Sequence, residues 1–278
     1  MILRPKLIDD ETLFIELPAP MRSLGTTVYG GGLGWADSAI FRKVDKCFSN
    51  PSPQEYARSL ATRLGRRSVV FLTAADVREY IYVALERKGV RVETVATVGL
   101  THPACIGLEP RDLKGVGTIN IFLATNLGLD DTGITDLFRS VSEAKAGIIS
   151  ILGLSCKGLP AVGTVSDATV VVAPPGPNTY AGLGTTVGFL AASAVLEIIR
   201  RHMSRRGSRD YLRYMEIDRY SEYCGIDVKE ILVKRLSLLI NQLRRLAIIP
   251  WISEGYFEEI ARTLEKLGEK RCYEETGK

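Results

Sequence analysis

"GTINIF", residues 117–122, decides how the chain is interpreted, because it combines the apolar character of a core strand with Thr118 and Asn120. In an extended chain the side chains alternate between two faces, so Ile119 and Ile121 point one way and the polar pair points the other way. A half-exposed strand at a sheet edge explains this pattern. A strand whose polar face lines a cleft explains it too, and the rest of the sequence has to separate the two.

Segments typical of strands and of helices alternate around this stretch. The predicted strands cover residues 13–17, 26–32, 68–73, 92–100, 116–123 and 161–173. The predicted helices cover residues 53–64, 74–89, 131–154 and 187–202. The alternation predicts an α/β fold, with a mixed sheet core flanked by helices. The valine run in the last strand favours a central position for it.

The character of the sequence changes after Ser204, where three helical patterns follow without a convincing strand. We therefore predict an α/β domain in residues 1–203 and a C-terminal helical appendage in residues 204–278. Apolar stripes in the appendage, such as the one that contains Leu238 and Leu239, favour an interface between copies of the chain. A homo-oligomer through these helices is the corresponding prediction.

The composition excludes several classes of protein. With 46% hydrophobic and 24% charged residues, the chain is expected to fold as a soluble globule. A formal net charge of +4 gives no reason to expect a nucleic-acid partner. Five scattered cysteines without a CxxC pair, and no signal-peptide pattern, predict reduced thiols and a cytoplasmic location. No apolar run reaches the roughly 18 residues that span a bilayer, so no membrane partner is expected.

The long predicted helix carries a lysine where an apolar residue belongs. At about 100° per residue, Lys145 falls near the middle of the apolar face, and Glu143 falls nearly opposite. A lysine there must extend to water, find a carboxylate or lose its proton. Asp167 has the matching problem in an apolar strand. Pairing Lys145 with Asp167 would solve both, whereas a lysine that simply snorkels to the surface is the alternative.

Two glycine-rich stretches have both structural and functional interpretations. "YGGGLG", residues 29–34, is not a clean GxGxxG unit followed by a helix, so it supports a dinucleotide site only weakly. Its three consecutive glycines allow a sharp turn or a close approach of backbone to a ligand. In "YAGLGTTVG", residues 180–188, Thr185 is a natural helix N-cap, and a helix end aimed at an anionic or carbonyl group is the alternative.

Metal and thiol chemistry are weakly indicated. The chain has two histidines, His102 and His202, and neither an HExxH motif nor a cysteine cluster. His102 follows a predicted strand on a turn, which makes it the better site candidate of the two. Cys105 is a possible thiol nucleophile, although nothing around it marks it as reactive. We predict neither a metal nor any other cofactor.

Several of these features occur together, and in the same order, in a known family. The segments are "YGGGLGWADS", "FLTAAD", "TVGLTHPACIG", "GTINIFL", "SEAKAG", "GTVSDATVVVA" and "YAGLGTTVG". Over about residues 20–200 the chain resembles the adenosylcobinamide amidohydrolase family. The resemblance implies hydrolysis of the amide that joins a corrinoid carboxylate arm to aminopropanol. The product would be adenosylcobyric acid, released for cobalamin biosynthesis by corrinoid salvage, and the partner would be the substrate adenosylcobinamide.

The resemblance and the residue patterns together predict the site. The predicted catalytic residues are Lys145, Asp167, Asn120, Thr118 and Glu143. The predicted substrate-binding residues are Gly30, Gly31, Gly32, His102, Thr164, Tyr180, Gly182 and Thr185. The chain departs from the family pattern at "LGTT", where many members have a histidine, and at His102, where members commonly have asparagine.

The expected mechanism places Thr118 and Asn120 against the amide, with Lys145 close by. Asparagine or lysine would donate a hydrogen bond to the developing oxyanion. Asp167 would position or deprotonate water, and a threonine hydroxyl, of Thr164 or Thr118, is the alternative nucleophile. If the missing histidine carried proton transfer, the chain would instead be a non-catalytic corrinoid-binding or regulatory protein. A nucleotide-binding protein is a weaker third possibility.

Overall fold

A computed structural model describes residues 2–45, 48–64, 66–100, 102–107, 109, 118–156 and 159–214. The strands are β1 (Arg4–Asp9), β2 (Thr12–Gly25), β3 (Gly32–Lys43), β4 (Ser68–Thr73), β5 (Ile81–Arg87), β6 (Val90–Gly99), β7 (Pro103–Cys105), β8 (Thr118–Thr125), β9 (Ser155–Cys156), β10 (Leu159–Thr164) and β11 (Ala168–Ala173). The helices are α1 (Pro53–Leu64), α2 (Asp131–Ile151) and α3 (Thr186–Tyr214), with a 3-10 turn at Val77–Glu79.

The strands form one large mixed sheet and one small sheet. The large sheet has the order β4-β3-β2-β11-β8-β6-β5, with β1 paired to β2, and the small sheet has the order β7-β10-β9. β8 and β11 are parallel neighbours, and α2 lies between them in the chain. β2 and β6 flank this parallel pair in antiparallel orientation. The predicted α/β class, with a mixed sheet flanked by helices, is confirmed.

Strand β8 lies in the centre of the sheet, between β6 and β11, and all of its residues are buried. The interpretation of "GTINIF" as an edge strand is therefore wrong. Ile119 and Ile121 face a core that α2 and α3 cover. The next residues on the opposite face, Phe122 and Ala124, belong to a second core shared with β2, β3 and β4. By alternation, Thr118 and Asn120 lie on the face of this second core.

The second core exists because the sheet folds back over itself. Phe41 of β3 stacks on Phe71 of β4 with ring centroids 4.2 Å apart. Phe71 in turn meets the edge of Phe122 of β8 at 6.4 Å. β4, the last strand of the sheet order, therefore packs against the central strand. This return path places the end of β4 beside the beginning of β8.

The predicted helix at residues 74–89 is wrong. The chain forms the short 3-10 turn and then β5, which pairs with β6 as a hairpin. Lys88 and Gly89 both have positive φ, 52° and 76°, which is the geometry that closes a two-residue hairpin. The isoleucine, tyrosine and valine at the start of β5 also prefer the extended chain. Pairing with β6 outweighs the weak helical periodicity.

Two predicted strands have different bounds in the structure. Residues 161–173 form two strands, β10 and β11, because the chain turns at residues 165–167. Of the predicted strand at residues 26–32, residues 26–31 form the loop between β2 and β3, and the sequence pattern missed both β1 and most of β3. The turn at 165–167 places Asp167 at the entry of β11.

The helices begin where local signals favour them. α1 begins at Pro53, whose fixed φ suits the first helical position. Asp130 caps α2, since its Oδ1 accepts a hydrogen bond from Gly133 N at 2.7 Å. Thr185 caps α3 in the same way, with Gly188 N donating to its Oγ1 at 3.1 Å, so the predicted capping role of Thr185 is confirmed.

Within the described part of the chain, no helix is both long and apolar enough to cross a bilayer.

The structure bears on two further predictions, the redox state of the cysteines and the C-terminal domain boundary. Cys105 is disulfide-bonded, which corrects the expectation of reduced thiols throughout. α3 continues to Tyr214, past the predicted domain boundary at residues 203/204. The remainder of the predicted helical appendage, residues 215–278, lies outside the described residues, and so do Leu238 and Leu239. The boundary and the oligomer therefore stay predictions.

Candidate active site

Lys145 and Asp167 form an ion pair beneath α2. Lys145 Nζ donates to Asp167 Oδ2 at 2.6 Å, and the side chains are 14% and 10% exposed. α2 directs Lys145 inward because its neighbours on that face, Val141 and Ile149, are fully buried. The pairing expected from helical periodicity is confirmed, and a lysine that merely snorkels to water is not what the structure contains.

The carboxylate of Asp167 has a hydrogen-bond donor at each of its four acceptor positions. Oδ1 accepts from Ile119 N at 2.8 Å and from the hydroxyl of Thr164. Oδ2 accepts from Thr164 N at 3.0 Å and from Lys145. A carboxylate offers about four lone-pair directions, so none is left over for a water molecule. The carboxylate is therefore fixed against Lys145 and is poorly placed to take a proton from water.

Two hydroxyl groups lie at the turn that leads into Asp167. Thr118 Oγ1 is 3.0 Å from Ser166 Oγ, which belongs to the turn that precedes Asp167. Thr118 is 2% exposed, whereas Ser166 lies at the surface. Sequence reasoning missed Ser166 as a site residue. The signal was present, because "GTVSDATVVVA" places this serine between the predicted residues Thr164 and Asp167.

Asn120 lies deeper and on the other face of the sheet. It is fully buried, and its Nδ2 donates to Leu72 O at 3.4 Å. Its Oδ1 has no hydrogen-bond partner in the part of the chain that the structure describes. Its cross-strand neighbour is Thr97, another buried polar residue. The structure therefore separates Asn120 from the helix-covered face that carries Lys145.

The glycine loop and His102 lie at the same end of the sheet as Asp167. Thr26 N, at the beginning of the loop, donates to Thr169 O at 2.9 Å, two residues after Asp167. Gly31 has no room for a side chain, since a Cβ there would lie 2.6 Å from Thr27 O. Gly30 and Gly32 have φ of 75° and 79°, so the loop needs glycine for its own path.

The carbonyl of His102 accepts a hydrogen bond from Val165 N at 3.3 Å, on the turn before Asp167. The backbone of His102 adopts a left-handed conformation, with φ of 69°. This contact ties the segment before β7 to the turn that holds the carboxylate. His102 is thus near the ion pair through its backbone, and its predicted role in substrate binding stays a prediction.

The "FLTAAD" segment also reaches this end. Ala75 packs against Gly99, and Gly99 is the cross-strand partner of Thr118. The next residue, Asp76, is bonded through both oxygens to the Arg78 guanidinium, which lowers the pKa of Asp76 from 3.8 to about 2. Asp76 is therefore ionised at physiological pH and paired with the Arg78 guanidinium.

Tyr180, Gly182 and Thr185 lie at the opposite end of the sheet. Their loop is fixed to the first half of α2, with Ala181 N donating to Asp136 Oδ2 at 2.8 Å. Asp136 and Lys145 are nine residues apart on α2, or about 13 Å along its axis, and they point to opposite sides. Tyr180 itself is 77% exposed. The structure does not bring these three residues to the ion pair.

Glu143 also faces away from the ion pair. Arg139 Nη1 donates to Glu143 Oε1 at 2.8 Å on the exposed side of α2. The same guanidinium bonds to Asp136, and with the Ala181 amide it holds the pKa of Asp136 below its ordinary value. The placement of Glu143 matches the helical projection, which put it opposite Lys145, and leaves it in a surface network.

No group of three or more His, Cys, Asp or Glu side chains could hold a metal ion among the described residues. What the site offers is a positively charged donor next to the turn that carries the exposed Ser166 hydroxyl. A lysine ammonium has three N–H directions, and Asp167 occupies one of them. The arrangement is suited to polarising a carbonyl oxygen that approaches from the amino ends of β8 and β11.

Fold and site together define an α/β protein with a largely buried lysine–carboxylate pair at the amino ends of two parallel strands. The chain belongs to the adenosylcobinamide amidohydrolase family, whose sequence profile matches residues 3–210. An adenosylcobinamide amidohydrolase of Halobacterium salinarum is 32% identical over 204 residues, covering 69% of this chain and 84% of that protein. One of Methanosarcina mazei is 28% identical over 213 residues, covering 72% and 98%. The resemblance inferred from the motifs is confirmed.

Proposed function

We propose that the protein hydrolyses the amide between the corrinoid arm and aminopropanol in adenosylcobinamide, and that adenosylcobyric acid is the product used in corrinoid salvage. Membership of the family supports the substrate and the type of reaction. The observation that carries the proposal is the 2.6 Å contact between Lys145 Nζ and a fully hydrogen-bonded Asp167 carboxylate. This arrangement holds a cation in a mostly buried position, where its charge is screened less than in water.

Lys145 is the group that stabilises the transition state in this mechanism. When water adds to the amide carbon and gives up a proton to solvent, negative charge develops on the carbonyl oxygen. The N–H groups of Lys145 that do not bond to Asp167 donate to that oxygen. The tetrahedral intermediate then collapses, the C–N bond breaks, and aminopropanol leaves after taking a proton from solvent. A donor fixed in advance needs no reorganisation during the reaction, and loss of one such donor typically slows turnover about 10²- to 10³-fold.

Asp167 acts in this mechanism as a positioning residue. Its four hydrogen bonds fix the carboxylate, and the carboxylate fixes the ammonium. The residues Thr164 and Thr118 are only 4% and 2% exposed, which disfavours both as nucleophiles. The exposed Ser166 is the hydroxyl that a substrate meets first, and it contacts Thr118. We therefore favour water as the nucleophile, with Ser166 at the entrance.

The alternative is a corrinoid-binding protein without catalysis, suggested by the missing histidine in "LGTT". That segment precedes α3, at the end of the sheet opposite to Lys145, and Gly184 faces open space. A histidine there would not reach the ion pair, so its absence does not remove a group from the proposed chemistry. The cytoplasmic location, the homo-oligomer and the absence of nucleic-acid and membrane partners remain predictions.

The experiment is to incubate the purified protein with adenosylcobinamide and to measure released aminopropanol and adenosylcobyric acid by mass spectrometry. We expect stoichiometric release of both products by the unmodified protein. Lys145→Met should be slower by about 10²- to 10³-fold, because the oxyanion loses its charged donor. Lys6→Met, which changes an exposed lysine of β1, is the matched control and should keep full activity.

Tight binding of the corrinoid without product release would contradict the proposal and favour the binding protein. Circular dichroism and thermal unfolding of both variants establish whether they are folded. A Lys145→Met variant that is folded and fully active would show that the chemistry lies elsewhere on the molecule.

A further inference from the structure

Gly163 of β10 lies directly against the ion pair. It is buried, and a Cβ built on its backbone would lie 2.3 Å from Asp167 Oδ2 and 3.2 Å from Lys145 Nζ. The first distance is far below any ordinary contact between a Cβ and an oxygen. The pair therefore occupies the space that a side chain at position 163 would need.

The carboxylate cannot simply move aside. Two of its donors are the backbone amides of Ile119 and Thr164, which the strands β8 and β10 hold in place. Tilting the carboxylate away from position 163 would lengthen these bonds and the bond to Lys145 together. A buried acceptor that loses its donors is costly, so the geometry around Asp167 resists displacement.

Backbone conformation does not explain the glycine. The glycines with positive φ in the described residues are Gly30, Gly32, Gly89, Gly107 and Gly153, and Gly163 is not among them. Alanine could therefore adopt the backbone of Gly163 without strain. What excludes a larger residue is the space taken by the carboxylate.

We propose that Gly163 is a positioning residue for the reaction, because its missing side chain sets where the Lys145–Asp167 pair stands. This inference rests on the proposed function for its effect on turnover. The placement of the pair itself is independent of any substrate, so the two claims can be tested separately.

A double-mutant cycle tests the inference with Gly163→Ala, Asp167→Ala and the double variant. Gly163→Ala should lower kcat by up to about 10²-fold with little change in KM, because the ammonium is displaced but the substrate surface remains. It should also lower the melting temperature. In the Asp167→Ala background, the same change should lower neither kcat nor melting temperature further, since the crowding oxygen is gone.

Gly147→Ala is the matched control. Gly147 lies on α2 two residues from Lys145, and nothing lies within 4 Å of a Cβ built there. This variant should keep kcat and have an equal or higher melting temperature, because alanine favours a helix over glycine. If Asp167→Ala alone fails to fold, the comparison is made in a Lys145→Met, Asp167→Ala background, which leaves no unpaired charge.

A Gly163→Ala variant with normal kcat would overturn the inference. So would an equal loss of melting temperature in the presence and absence of the Asp167 carboxylate, because the crowding would then involve other groups. If the unmodified protein releases no aminopropanol, the proposed function fails. The melting temperatures still decide whether Gly163 and the carboxylate share the space.

Discussion

The two ends of the central sheet have different reasons for their unusual residues. At the amino ends of β8 and β11, a lysine and an aspartate are buried together, although apolar residues would fill this space more simply. At the carboxyl ends, Gly188 of "YAGLGTTVG" permits close backbone packing, since a Cβ there would lie 2.0 Å from Gly182 O. Packing explains Gly188 and leaves the buried Lys145–Asp167 pair unexplained.

The comparison indicates that motif residues of one family need not share one site. The loop that carries Tyr180 is held by Asp136 and by Ser140, whose Oγ donates to Ala181 O at 3.0 Å. Its hydrogen bonds account for much of its sequence. The charge pair has no such structural necessity, so we assign the chemistry to the amino ends.

Among the variants at the carboxyl ends, Asp136→Ala is expected to have the largest effect, which is a loss of unfolding free energy. Ala181 is buried and would lose the acceptor for its amide, which costs about 1–3 kcal/mol of unfolding free energy. Turnover per folded molecule should not change, because the ion pair lies elsewhere. Chemical denaturation measures the stability, and the aminopropanol assay measures the turnover.

The unfolding free energy of the Asp136→Ala variant should also depend on pH differently from that of the parent protein. Hydrogen bonds from Arg139 and from the Ala181 amide hold the pKa of Asp136 below its ordinary 3.8. A carboxyl group whose pKa is lower in the folded protein stabilises the fold fully at pH values above its pKa in the unfolded chain. This stabilisation is lost as the pH falls through its pKa in the folded protein. Asp136→Ala should therefore lose less stability than the parent protein below about pH 4. Asp131→Ala is the control, since this exposed partner of Arg22 should contribute at most about 1 kcal/mol.

Equal stability of the Asp136→Ala variant and the parent would mean that the loop is held by other contacts. A folded Asp136→Ala variant that has lost turnover would mean that the two ends cooperate in one site. Either result would break the distinction drawn between them.

Tyr180→Ala, at the same end of the sheet, is expected to have a smaller effect, which is on KM. Tyr180 is 77% exposed, and the point at which its loop joins α2 lies about 13 Å along the helix from Lys145. If Tyr180 contacts the corrinoid, as predicted from the resemblance, its loss should raise KM and leave kcat nearly unchanged. Tyr180→Phe is the control that keeps the ring. Steady-state kinetics with adenosylcobinamide distinguish these outcomes, and a large fall in kcat would place Tyr180 in the chemistry.

The ion pair was predictable from local sequence, and its surroundings were not. A lysine on an apolar helical stripe and an aspartate in an apolar strand each need a partner, and that requirement identified Lys145 and Asp167. The position of Asn120 depends instead on β4 folding back over β8, which no local pattern encodes. Sequence reasoning therefore recognised a polar face but not the strand that packs against it.

The errors in the fold have a similar origin. Residues 74–89 have weak helical periodicity, and pairing of β5 with β6 decides their conformation. The division of residues 161–173 into two strands depends on the turn at 165–167, where Thr164, Ser166 and Asp167 bond to groups distant in sequence or to each other. Short-range patterns predict which residues need partners, whereas tertiary pairing decides where those partners are.

The most direct test is the structure of Lys145→Met with adenosylcobinamide bound, since the slow variant should retain the substrate. We predict that the carbonyl oxygen of the aminopropanol amide lies beside residue 145, within reach of the position that the ammonium occupies next to Asp167. Finding that amide beside Tyr180, on the other side of α2, would contradict the assignment of the chemistry to the amino ends of β8 and β11.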